Sequence, residues 1–79
     1  MRRRWVVREG ADLTRAIGEV RWSRGLTQEA LAGETGADRT RLARLERGAT
    51  TKLLDLTVRL LRHLDATIVV EFDDEAPHG

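Results

Sequence analysis

Cysteine and tyrosine are absent from this sequence, and its 79 residues include one proline and only three aromatic side chains. Without cysteine there is no disulfide framework and no thiolate metal site, which fits a reducing compartment. No apolar run approaches the ~20 residues that a bilayer span requires. The apolar part of the opening segment ends at Arg8, which is too short for a signal peptide, so we expect a cytoplasmic protein.

Side chains that carry catalysis are also scarce. The only serine is Ser23, and the two histidines are His63 and His78. The acidic residues 73 to 75 and His78 lie in a polar tail, which lacks the rigid geometry that a metal site needs. We therefore expect no enzyme, no metal site and no cofactor.

Arginine, in contrast, is abundant, since it accounts for 13 of the 14 basic residues. Residues 1 to 70 carry 14 basic and 9 acidic side chains, whereas four acidic residues fall within the last nine. The body of the chain is therefore basic and its tail acidic. Arginine presents two donors at once to a phosphate or a guanine. A host with arginine-rich codon usage would give the same bias.

Apolar residues at helical spacing, together with cap residues, predict three helices in the first two thirds of the chain. Each begins at a residue whose side chain can accept a backbone N–H and stops at a glycine. The predicted bounds are Asp12 and Gly25 for the first helix, Thr27 and Gly36 for the second, and Asp38 and Gly48 for the third.

A fourth helix is predicted from about Thr51 to His63, and it is apolar over about 200° of its surface, twice the stripe that one core contact uses. Alternating apolar residues then predict a strand that turns Ile68, Val70 and Phe72 to one face. A lone strand leaves its backbone groups unpaired. The Trp5 to Val7 segment, the same strand of a second copy, or both can pair with it.

A spaced pattern of residues spans the second and third predicted helices: Leu26-Thr27-Gln28, Leu31-Ala32, Gly36 and Glu46-Arg47-Gly48. In this pattern the chain resembles the helix-turn-helix of the phage Cro and cI repressor family, often called the XRE family. The resemblance implies a mainly α, lambda-repressor-like DNA-binding domain of four to five helices. We expect an arm or short strand over residues 1–10, this domain over 11–64, a dimerising strand over 65–72 in an intersubunit sheet, and a flexible acidic tail over 73–79.

The resemblance also implies which residues meet DNA. A charged helix face is ordinarily only solvated, but in this family the third helix reads bases in the major groove, where an arginine can bind guanine O6 and N7. An ion pair between Arg21 and Glu46 would join the first helix to the end of the third. The expected base-reading residues are Arg39, Thr40, Arg41 and Arg44, and the expected DNA-backbone contacts are Thr27, Gln28, Arg47, Gly48, Thr50, Thr51 and Lys52.

The wide apolar face of the fourth helix and the apolar strand together predict a homodimer. Two-fold proteins read palindromic operators whose half-sites lie about 34 Å apart. The expected interface residues are Leu54, Val58, Leu61, Ile68, Val69, Val70 and Phe72.

An XRE domain followed at once by such a strand resembles the HipB-type antitoxins, which repress their own operon and neutralise a HipA-type kinase toxin. The expected function is accordingly a sequence-specific dimeric repressor, located at the nucleoid and acting as the antitoxin of a HipBA-like operon. The alternatives are a stand-alone XRE-family regulator without a toxin, or a protein-interaction module whose DNA binding is secondary.

Overall fold

The computed structural model describes residues 1–74 of the chain. Its elements, in chain order, are β1 (Arg2–Val7), α1 (Gly10–Ser23), α2 (Gln28–Thr35), α3 (Arg39–Glu46), α4 (Lys52–His63) and β2 (Ile68–Asp73). The mainly α class is confirmed, with four helices and one two-stranded antiparallel sheet in this part of the chain. None of these helices is long and apolar enough to cross a membrane. Most of the predicted tail, residues 75–79, lies outside the described residues.

The bounds of α2 and α3 follow from local chemistry. Thr27 Oγ1 accepts the backbone N–H of Ala30 at 3.0 Å, and Asp38 Oδ2 accepts that of Arg41 at 3.2 Å, so both predicted N-caps are confirmed. Gly36 ends α2 with a φ of 75°, in the left-handed region that favours glycine. Two eight-residue helices thus face each other across a turn of only three residues.

The predicted N-cap of the first helix is wrong, because α1 begins at Gly10 and Asp12 lies inside its first turn. The Asp12 carboxylate instead reaches back, and its Oδ2 accepts the backbone N–H groups of Arg8 at 2.9 Å and Glu9 at 3.1 Å. A carboxylate satisfies the free N–H groups of a helix start from either position. The residue type therefore indicated that a helix begins near Asp12, but not at which residue it begins.

The N-terminal segment pairs with β2 of the same chain. The strands run antiparallel, with Trp5 opposite Val70 and Val7 opposite Ile68. The outer face carries ion pairs, in which Arg2 lies 3.3 Å from Asp73. Because the sheet has two strands, each keeps one edge without a partner in residues 1–74, and addition of a second copy there stays a prediction.

A small core lies between the sheet and the helices, formed by Val7, Ala16, Ala32, Leu42, Val58 and Phe72. Two of these residues were expected in the dimer interface, and that expectation is wrong. Val58 is only 2% exposed and Phe72 only 5% exposed within the single chain. The reason is that β1 pairing turns the inner face of β2 towards α1, while α4 packs on α1 and β2 through the side that bears Val58.

The side of α4 that faces solvent, together with the C-cap residue Leu64, carries a row of leucines. We name this row the leucine stripe: Leu53, Leu56, Leu60 and Leu64. Leu53 is 75% exposed and Leu60 is 53% exposed. Leu61 is also exposed, whereas Leu54 is half-buried. Of the predicted outer flank of α4, Leu61 is therefore exposed, Leu54 is half-buried and Val58 belongs to the core.

Candidate nucleic-acid interface

Helix α3 presents polar residues opposite its single buried anchor. At 100° per residue, Thr40, Arg41 and Arg44 fall within about 100° of one another, on the side away from Leu42. Leu42 is buried, whereas all three polar residues are exposed. Three of the four predicted base-reading residues thus share one open face.

Arg39, the fourth predicted base-reading residue, points towards α2. Its Nη1 lies 3.6 Å from Glu29 Oε1, and both side chains are largely exposed. Exposed pairs of this kind contribute little to stability and are screened by salt. The Arg39 guanidinium is therefore held only weakly and can exchange Glu29 for another anion.

A partly buried polar network fixes the far end of α3 to α1. Arg21 Nε and Nη2 donate to the two carboxylate oxygens of Glu46, each at 2.8 Å, so the predicted ion pair is present. The Arg21 side chain is 17% exposed and that of Glu46 is 9% exposed. Arg21 Nη1 also donates to the Leu26 carbonyl at 2.7 Å, which ties the loop before α2 to the same network.

Gln28 belongs to this network as well. Its Nε2 donates to Glu46 Oε1 at 3.1 Å, and the side chain is half-buried. Sequence reasoning assigned Gln28 to the DNA backbone and missed this contact, because no local spacing connects the start of α2 with the end of α3. One amide donor of Gln28 is therefore committed to holding α2 and α3 together.

The network also sets the charge of Glu46. Hydrogen bonds from Arg21 hold the pKa of the Glu46 carboxyl below its ordinary value, with a smaller contribution from Gln28, while burial acts in the opposite direction. The same contacts raise the pKa of Arg21. Both groups stay ionised at neutral pH, so the bond between α1 and α3 is a charged one throughout the physiological range.

Of the three threonines predicted at the DNA backbone, Thr27 and Thr51 also cap helix starts. Thr27 accepts from Ala30, and Thr51 accepts the backbone N–H of Leu54 at 3.2 Å. A threonine oxygen that accepts in this way still has its hydroxyl hydrogen to donate to a phosphate. Thr50 differs, since its hydroxyl donates to Asp55 at 3.0 Å.

The remaining predicted backbone contacts surround the end of α3. Residues 47–51 form the α3–α4 loop, in which Arg47 is the first residue; Arg47 and Lys52, the first residue of α4, are both exposed. Gly48, within this loop, has a φ of 98° and is half-buried. With Arg41 and Arg44 of α3, Arg47 and Lys52 make the end of α3 and this loop rich in exposed cations.

An apolar groove opens on another side of α1. It has a volume of about 470 Å³ and is lined by Leu13, Ile17, Val20, Leu26, Leu31 and Val70. The groove and the leucine stripe are both apolar surfaces that the described residues leave uncovered. Small soluble proteins rarely expose contiguous apolar patches unless another molecule covers them.

Side chains that could hold a metal ion do not cluster within residues 1–74, where no group of three or more His, Asp or Glu residues has suitable placement. Glu75 and His78 lie outside the described residues. Compared with protein-family models, with curated proteins and with solved structures, the chain matches none of them.

Proposed function

We propose that this chain is a sequence-specific, dimeric DNA-binding repressor. The observation that carries the proposal is the face of α3 that exposes Thr40, Arg41 and Arg44 on a helix anchored by Leu42 and the Arg21–Glu46 pair. A helix of this kind fits the major groove, which is about 12 Å wide. Charged residues on a helix face are weaker support for DNA binding when the helix lacks such an anchor, because contact with solvent alone accounts for their exposure.

In the proposed complex the arginines of α3 read guanines. Each arginine that binds guanine O6 and N7 with two hydrogen bonds discriminates against other bases by about 1–3 kcal/mol. Thr40 offers a methyl group to thymine or a hydroxyl to either base partner. Arg39 joins these residues once a base or phosphate replaces the exposed Glu29 carboxylate.

Contacts to the phosphates fix the register of α3 without reading sequence. Arg47 and Lys52 supply charge, and the hydroxyls of Thr27 and Thr51 supply neutral donors. The Arg21–Glu46–Gln28 network keeps α1, α2 and α3 in one arrangement, so that these donors and the base-reading side chains meet the duplex together.

Dimerisation in this proposal uses the leucine stripe of α4 and the edge of the sheet. The stripe, with Leu61 and the half-buried Leu54 at its margin, replaces the buried Val58 in the predicted interface. On the strand, the half-buried Ile68, Val69 and Val70 remain proposed contacts, whereas Phe72 belongs to the core. Two copies related by a two-fold axis would read half-sites about 34 Å apart.

An antitoxin role for this dimer rests on the resemblance to HipB-type proteins, and the uncovered apolar groove favours a protein partner beyond the second copy. A kinase-like open reading frame next to this gene, whose product copurifies with the chain, would support a HipA-type toxin partner. A stand-alone regulator would have no such neighbour.

Selection of bound sites from random DNA tests the main proposal. We expect a palindrome with half-sites one helical turn apart and a guanine in each half. An Arg44→Ala variant should stay folded and lose discrimination at one position by about 1–3 kcal/mol. Arg59→Ala is the control, since it removes an exposed arginine from α4, and this variant should select the same sites as the wild-type chain. Recovery of no enriched sequence would refute sequence-specific binding.

A further inference from the structure

Arg15 of α1 lies against the α3–α4 loop. A Cβ added at Gly48 would lie 2.8 Å from Arg15 Nη2 and 2.9 Å from its Nε, so the guanidinium rests directly on the glycine. Because Gly48 has no side chain, the planar guanidinium can approach the loop backbone this closely. The fold thus brings a cation from α1 to the segment that follows α3.

The N-terminal half of α1 runs beside this same loop. A Cβ added at Gly10 would lie 2.6 Å from Thr50 Oγ1 and would also overlap the Asp55 carboxylate. Gly10 and Arg15 therefore both lie close to this loop. Arg15 consequently lies next to residues that the proposed function assigns to the DNA backbone.

The charge of Arg15 is largely unused within the fold. Its one ionic contact among residues 1–74 is with Asp12, at 3.8 Å between Nη1 and Oδ1, which is beyond hydrogen-bond distance. Asp12 is already satisfied through its other oxygen by two backbone N–H groups. The Arg15 side chain is 47% exposed, so its donors are open to an external acceptor.

Arg21, on the same helix, shows the contrast. All three of its nitrogens donate to protein oxygens, and its side chain is mostly buried. Arg21 therefore holds the fold together. Arg15, in contrast, packs against Gly48 and keeps its N–H donors available for another acceptor.

We propose that Arg15 binds a phosphate of the DNA duplex and extends the interface from α3 and the α3–α4 loop onto α1. Resting on the proposed function, this assignment adds a contact that the residue pattern of the α2 and α3 region does not contain. The guanidinium fork offers two parallel N–H donors to a phosphate. Since the contact is to the backbone, it strengthens binding equally for every sequence.

Binding of the full chain to the selected operator and to a random-sequence duplex, followed by fluorescence anisotropy from about 50 to 200 mM salt, tests the assignment. The slope of log affinity against log salt is negative, and Arg15→Gln should make it less steep by about 0.9 for each bound copy. The affinity loss per copy is then about 3.5-fold greater at the lower salt concentration. Arg15→Lys should retain the slope, and Arg59→Gln, the matched loss of an exposed charge, should leave it near the wild-type value.

A second measurement replaces single phosphates of the operator with neutral methylphosphonates. One position should weaken the wild-type chain and have no further effect on Arg15→Gln. Two results would overturn the Arg15 contact, provided that the wild-type chain binds. One is an equal salt slope for Arg15→Gln and Arg59→Gln. The other is that every methylphosphonate weakens Arg15→Gln as much as it weakens the wild-type chain. A wild-type chain that binds neither duplex would overturn the proposed function as well.

Discussion

Helices α3 and α4 are both amphipathic, yet they expose opposite kinds of side chain. Around its buried Leu42, α3 exposes arginines and a threonine, whereas around its buried Val58, α4 exposes the leucine stripe. A cationic surface is complementary to an anion, and an apolar surface is complementary to another apolar surface. The difference indicates that DNA binding and self-association, if both occur as proposed, occupy separate helices and can be disrupted separately.

The largest effect is expected where α3 depends on the partly buried network. Arg21→Ala leaves the Glu46 carboxylate with Gln28 as its remaining side-chain partner, and losing charged hydrogen bonds at this largely covered site costs about 1.5–3 kcal/mol. Urea denaturation followed by circular dichroism measures the free energy of unfolding. Arg15→Ala, which removes an exposed arginine from the same helix, should change it by less than about 0.5 kcal/mol. A loss below about 1 kcal/mol in Arg21→Ala would mean that the network does not hold α3 in place.

A smaller effect, confined to α4, separates self-association from folding. Leu60→Ser should weaken the dimer by about tenfold or more. Leu60 is 53% exposed in the single chain, so an interface adds about half of the 1.5–3 kcal/mol that full burial of a leucine contributes, and a two-fold interface contains this residue twice. Sedimentation equilibrium at micromolar concentration gives the dissociation constant.

Val58→Ala is the matched control for that experiment, since Val58 lies on the buried side of the same helix. It should lower the free energy of unfolding by about 1–2 kcal/mol, the value of its lost methyl groups, through the core of each chain. A wild-type chain that is monomeric at this concentration would contradict the proposed dimer.

Acid should lower the free energy of unfolding through Glu46, which links α3 to α1. Its folded-state pKa is lowered from the ordinary 4.5, chiefly by hydrogen bonds from Arg21. Its contribution to stability is therefore complete above the unfolded-state pKa and is lost as the pH falls through the lower folded-state value. The difference in unfolding free energy between the wild-type chain and Glu46→Gln, measured from pH 7 to pH 3, should shrink towards low pH. A constant difference would show that the pair does not shift this carboxyl.

The smallest effect concerns the start of α3. Asp38→Ala removes the oxygen that caps the Arg41 N–H and should cost about 1 kcal/mol. Asp38→Asn keeps a cap of similar strength and should be nearly neutral, as thermal denaturation of the two variants would show. Equal losses in both variants would point to the charge of Asp38 and not to its hydrogen bond.

The sequence allowed prediction of features that depend on neighbours in the chain. The caps Thr27 and Asp38 and the stop at Gly36 involve contacts within three residues, so residue type and spacing were sufficient. The pairing of Arg21 with Glu46 spans 25 residues and was accessible only through the family resemblance.

Features that depend on docking angles were not predictable. The width of the apolar face of α4 was evident, but which leucines turn outward depends on how α4 packs against α1 and β2. Phe72 was assigned to the correct strand face, yet only the pairing of β1 with β2 decides that this face covers its own chain. The contact of Arg15 with Gly48 joins residues far apart in sequence, so no local spacing indicated it.

The pairing of β1 with β2 also constrains how the chain folds during synthesis. The partner of β1 is synthesised about 60 residues after it, a delay of about 3 to 12 s at 5 to 20 residues per second. Until then Val7 has no strand beside it, and the core residue Phe72 has not been made. The arginines at positions 2 to 4 place repelling charges on the waiting strand, which protects the nascent chain from aggregation through its open edge.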